Sequence, residues 1–118
     1  MMQITVQKIY FDAIACGRKT VEGRVNTEKY KTLQPGMRIG FCAPEGNEVV
    51  YCFIEDLRVY QTFEDMLSNE GVENMLPGVE SLQKAIAIYE SFPGYADAVK
   101  EFGALAIRIR LCSCESAF

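Results

Sequence analysis

A twelve-residue run, Val49–Tyr60 (VVYCFIEDLRVY), constrains the fold of this chain more than any other stretch. Valine, isoleucine, tyrosine and phenylalanine crowd it, and neither glycine nor proline interrupts it, so it reads as a strand. Strands usually run to about five or six residues, so one of this length is expected to bend or bulge, near Glu55-Asp56. A strand over Arg38–Ala43 precedes it across a turn at Pro44–Asn47, which predicts a hairpin.

The rest of the chain arranges itself around that hairpin. Gln3–Gln7 reads as a short opening strand. Lys8–Cys16 follows as a helix, with Ile9, Ala13 and Ile14 near helical spacing and Gly17 ending it. Thr20–Val25 is a second strand, Asn26-Thr27 can cap a short helix over Glu28–Leu33, and Pro35-Gly36 makes a turn. After the long strand, Thr62-Phe63-Glu64-Asp65 carries a helix-start pattern leading toward Gly71, and Val72–Leu76 forms another short helix or turn. Ser81 can cap a helix through Ser91 in which Leu82, Ala85, Ile86 and Tyr89 share a face; Tyr95–Phe102 is a further helix ending at Gly103. Ala104–Cys112 closes the chain as a strand. No repeat, linker or low-complexity stretch divides the 118 residues, so a single domain over 1–118 is expected. The order of elements is α+β, suited to a small, partly closed barrel with helices packed around it.

Composition narrows the function classes. No apolar run is long enough to span a bilayer, and the opening Met1–Thr5 lacks the basic start and apolar stretch of a signal peptide. The five cysteines include no C-x-x-C pair, and Cys112 and Cys114 read as strand neighbours rather than a bridge. Without any histidine, zinc would need cysteine and carboxylate alone, and no spacing supports that. The expectation is a reduced, cytoplasmic protein with no metal, no cofactor and no membrane partner. The net charge of −4 argues at first against nucleic acid. Residues 1–41, however, hold seven basic side chains against three acidic ones, while the remainder hold five against thirteen. A chain polarised in this way can present a locally positive surface.

Charge concentrates most in Gly17-Arg18-Lys19-Thr20-Val21-Glu22-Gly23-Arg24, where a helix hands over to a strand. Alternation puts Thr20, Glu22 and Arg24 on one face and Val21 on the other. Gly23 would let a ligand or another backbone approach closely. Lys19 has the wrong parity to meet Glu22 within the strand, and could reach it only from the preceding loop. An ammonium and a guanidinium flanking a carboxylate could grip a phosphate or the polar edge of a base. The same spacing is equally that of a surface ion pair.

The pattern G-x-K-x-x-E-x-R, matched by Gly17, Lys19, Glu22 and Arg24, resembles the signature of ASCH domains, which share a PUA-like β-barrel fold. Leu33–Phe41 is similar to the family's L-x-x-G-D-x-I-x-F segment, with Met37 where aspartate is usual. Val59–Leu67, Glu73–Gly78, Tyr89–Phe92 and Phe102–Ile107 are similar to further segments in the same order. The resemblance implies a PUA-like barrel of about five to six strands and a cleft, lined by the signature residues, that handles RNA or a nucleotide in RNA processing or translation. Gly17, Lys19, Thr20, Glu22 and Arg24 would line it. One branch of the family removes the acetyl group from N4-acetylcytidine with a lysine, a threonine and a glutamate. On this chain the lysine falls on Lys19, the threonine position on Glu22, and the glutamate on Glu73 or Glu70. A hydrolase acting on a modified nucleoside or on RNA would therefore use Lys19 and Glu22, with Glu22 as general base on water.

Beyond the signature, Tyr51, Phe53, Tyr60, Tyr89, Phe92 and Tyr95 offer stacking surfaces for bases, Tyr60 and Tyr89 foremost. The same residues equally suit the core. Glu64-Asp65 and Glu70…Glu73 could supply a general base, but charged residues at helix starts are more often caps and solvated faces. Without a histidine, a nucleophilic cysteine would need Lys19 or Arg24 nearby; only Cys16 is close in sequence, and the cysteines read instead as small apolar packing residues.

Overall fold

The computed structural model describes residues 1–112. Five strands form one sheet: β1 (Gln3–Thr5), β2 (Val21–Val25), β3 (Arg38–Cys42), β4 (Val49–Tyr60) and β5 (Ala104–Leu111), in the order β1-β3-β4-β5-β2. All neighbours are antiparallel except β1 with β3. The sheet curls into a half-barrel that keeps two edges, β1 and β2, so the expected barrel is an open one. The long strand extends over Val49–Tyr60, and its register with β5 slips between Ile54 and Asp56, where the sequence breaks from apolar to acidic. That irregularity lets one strand pair with β3 at its start and follow β5 along its length.

Two apolar clusters pack on opposite faces. Inside the curl, Ile39, Phe41, Cys52, Ile54, Leu105, Ile107 and Ile109 meet Phe11 and Ile14 of helix α1 (Lys8–Ala15) and Tyr30 and Leu33 of the segment between β2 and β3. Outside, Val21, Val25, Ala104 and Ala106 are covered by α2 (Phe63–Glu70), α3 (Val72–Met75), α4 (Leu82–Ser91) and α5 (Tyr95–Phe102). Alanine at 104 and 106 lets those helices sit close to β5. The sequence signals for helix starts are realised: the Thr62 hydroxyl accepts from the Asp65 amide at 3.0 Å and the Ser81 hydroxyl from the Lys84 amide at 3.1 Å.

Some expectations differ. Ile9 is 64% exposed, because Phe11 and Ile14, with Tyr10 beside them, define the buried face of α1 and Ile9 lies well round the helix from its centre. The helix expected over Glu28–Leu33 is a single 3-10 turn, Glu28–Tyr30. Cys114 lies outside the described residues. Among those described, no helix is long and apolar enough to cross a membrane, and no cluster of cysteine and carboxylate side chains is placed to hold a metal ion.

Candidate functional site

The signature segment starts with a helix stop. Gly17 takes φ +85°, its amide donates to Ile14 O, and the Arg18 amide donates to Ala13 O, closing the end of α1. The reversal sends Lys19 inward ahead of β2. Lys19 thus reaches the carboxylate from the loop, the route that strand parity left open. Its Nζ lies 3.2 Å from Glu22 Oε1 and donates to the carbonyls of Val21 (2.7 Å) and Met75. Three donors meet three acceptors, and the ammonium also sits 5.6 Å from the Tyr10 ring centroid. The second Glu22 oxygen accepts from Arg24 Nε at 2.7 Å, and Arg24 Nη2 donates to Thr5 O at 2.9 Å.

This is not the exposed ion pair that spacing allowed. The side chains of Lys19 and Glu22 are 2% and 7% exposed, and that of Arg24 is 19% exposed. Burial lowers the Lys19 pKa from the ordinary lysine value, and Glu22 only partly offsets it. For Arg24 burial also opposes the charge, but Glu22, with Tyr30 and Tyr95, outweighs it and raises the pKa further. The Arg24–Thr5 contact has a topological meaning too. It runs from edge strand β2 to edge strand β1, across the seam that the half-barrel leaves open.

A cleft of about 250 Å³ lies in that seam. Lys19, Glu22, Gly23 and Arg24 form one wall, Thr5, Gln7 and Tyr10 a second, and Tyr89, Phe92 and Tyr95 a third. The aromatic wall is braced from behind. Phe63 stacks on Tyr89 (centroids 5.2 Å apart) and on Tyr95 (5.9 Å), while Phe92 stands edge-on to both tyrosines. Gly23 makes this wall possible: a Cβ there would lie 2.6 Å from the Tyr89 hydroxyl and 2.9 Å from the terminal methyls of Met66 and Met75. Burial, and then the Glu22 charge, raise the pKa values of Tyr10 and Tyr89, and burial raises that of Tyr95, so all three phenols are protonated donors at neutral pH.

The remaining candidates lie elsewhere. Gly17 and Thr20 line a second cavity, with Cys52, Glu55 and Arg108; Lys19 borders both cavities. Glu73 is on the surface, 3.6 Å from Arg18. Tyr60 and Glu70 are brought together, but outside the cleft. The Tyr60 hydroxyl donates to Glu70, which is also bound by Arg58 at 2.7 and 2.9 Å. Tyr51 and Phe53 lie on β4 outside the cleft. Tyr10, and the carbonyls of Met75 and Thr5, were not singled out by sequence. Tyr10 lay inside the expected helix without a charge pattern to mark it, and a carbonyl carries no residue signature.

A family model of the ASCH domain matches residues 4–112. The crystal structure of a hypothetical protein is 34% identical, with TM-score 0.83 over 93% of this chain and 97% of that one. The solution NMR structure of a Pyrococcus furiosus protein is 30% identical, with TM-score 0.74 over 95% of this chain and 97% of that one. The crystal structure of ASCH from Zymomonas mobilis is 21% identical, with TM-score 0.63 over 92% of this chain and 65% of that one, a likeness of fold. No curated protein matches the sequence.

Proposed function

This chain belongs to the ASCH domain family, and on that premise we propose that it works as one domain whose seam cleft takes a single base of RNA or of a free nucleotide. The observation that carries this reading is the division of labour among the three charged residues. Lys19 spends its donors on Glu22 and two carbonyls, so it orients the carboxylate rather than meeting a phosphate. Glu22 and Arg24 then offer acceptors beside planar donors, the combination that the hydrogen-bonding edge of a base complements. Tyr95, half-buried and braced by Phe63, supplies a face for the ring, while Tyr89, 3% exposed, backs the wall. A volume of about 250 Å³ lies just below the range of ligand pockets, roughly 300–1,000 Å³, and suits a base with its sugar and phosphate outside.

Calorimetric titration with the four nucleosides and a short single-stranded RNA at low salt tests the reading. Saturable binding is expected, weakened about tenfold or more by Arg24→Ala. No saturable binding, or binding indifferent to Arg24→Ala, refutes it. Hydrolysis of a modified nucleoside or of RNA is a second reading, favoured by one observation: Glu22 faces the cleft beside a lysine whose pKa burial has lowered. With Thr20 outside the cleft, Glu22 would activate water. Incubation with N4-acetylcytidine or RNA, followed by chromatography, decides it; product above a Glu22→Gln control supports hydrolysis and its absence removes it.

A further inference from the structure

The helices cover only part of the outer sheet face. Ala104 and Ala106 lie beneath them, whereas Arg108 and Arg110, at the same strand parity, are exposed. On the bare part, Phe53 stands directly between Arg38 on β3 and Arg110 on β5, and Tyr51 lies opposite Gly40. Each ring carries a guanidinium: Arg110 Cζ is 5.1 Å from the Phe53 centroid and Arg38 Cζ is 5.2 Å from that of Tyr51. Glu55 is shared by Arg108 and Arg110, at 3.6 and 3.3 Å, and Asp56, opposite Arg108, and Glu70 are paired with Arg58, so Arg38 is left as the excess positive charge of this face. Gly40 keeps the lane low; the Tyr51 ring lies 3.5 Å from where a Cβ would stand.

We infer that this face is a second, separate contact surface, for single-stranded RNA. Its excess positive charge, in a chain of net charge −4, complements a phosphate backbone. Guanidinium groups lying over aromatic rings on a sheet are surfaces on which unpaired bases stack. Tyr51 and Phe53 are two residues apart on one strand, about 6–7 Å by strand rise, so each can take its own base. An acidic peptide would use the charge but not the rings, which is why RNA is the better match.

The test is fluorescence anisotropy of a labelled oligouridylate long enough to cross the sheet, against wild type, Arg38→Ala/Arg110→Ala and Tyr51→Leu, with circular dichroism confirming the fold. The double variant is expected to bind at least about tenfold more weakly, with the log–log salt slope reduced by about 1.4, while uridine binding in the cleft stays as in wild type. Tyr51→Leu should weaken the oligonucleotide without changing the slope. This surface is independent of the cleft reading, and the two fail separately, because Arg24→Ala is read on nucleoside binding and Arg38→Ala/Arg110→Ala on the oligonucleotide. Unchanged oligonucleotide affinity in the double variant, equal displacement of RNA by polyglutamate, or self-association of wild type that the double variant abolishes would overturn the inference.

Discussion

Glu22 and Glu70 are both nearly buried carboxylates held by an arginine, yet they do different work. Glu70 is 3% exposed, and accepts two hydrogen bonds from Arg58 and one from Tyr60. Its partners lie on β4, with Arg58 itself 40% exposed, so the cluster fastens the end of α2 to the sheet and lies outside the seam cleft. Glu22 is held by a buried lysine and a half-buried arginine, and its surroundings open into a cavity. The first arrangement is a fastening that water can partly replace. The second is a preorganised polar surface whose charges have nowhere else to go.

The largest expected effect follows from that contrast. Lys19→Met leaves the Glu22 carboxylate and the Val21 and Met75 carbonyls buried with a partner lost, and should cost roughly 3–5 kcal/mol in urea denaturation. A cost below about 1 kcal/mol would mean that the network is solvated and the contrast is wrong. Next, Gly23→Ala should cost about 1–3 kcal/mol and weaken nucleoside binding, because its methyl displaces the Tyr89 hydroxyl and two methionine methyls. The matching change in the fastening, Glu70→Gln, should cost only about 1 kcal/mol, since Arg58 can turn to solvent, and should leave nucleoside binding unchanged.

The two regions also respond to opposite ends of the pH scale. Burial raises the Glu70 pKa, but hydrogen bonds from Arg58 and Tyr60 outweigh it and leave the pKa below the reference 4.5. Its contribution is therefore complete above that value and is lost as pH falls through the folded-state pKa. Glu70→Gln should show a shallower acid loss than wild type below pH 4.5. Lys19, lowered by burial, costs stability while charged, and that cost is relieved as pH rises toward 10.5. The deficit of Lys19→Met against wild type should accordingly widen from neutral pH toward 10.5 in thermal melts.

The parts of this contrast that sequence could reach were local. The uninterrupted β-branched run gave the long strand and its bulge, the Thr62 and Ser81 hydroxyls gave helix starts, and strand parity allowed Lys19 to meet Glu22 only from a loop. Burial was not legible, because G-x-K-x-x-E-x-R has the same spacing on a surface as in a seam. Nor was the pairing of Tyr60 with Glu70, ten residues apart along the chain and joined only by the turn into α2. The resemblance let the glutamate fall on Glu73 or, with a small shift, on Glu70, and packing alone separates a surface side chain from a buried one. The carbonyls of Met75 and Thr5 belong to tertiary structure entirely.

The most direct test is a ¹⁵N–¹H NMR titration of the protein with nucleosides. Shifts concentrated at Glu22–Arg24, Tyr89 and Tyr95, with Arg58, Tyr60 and Glu70 unmoved, are the expected result. No saturable shifts at the seam, or shifts centred on the Arg58–Glu70 cluster, would contradict the claim that the seam is the binding site.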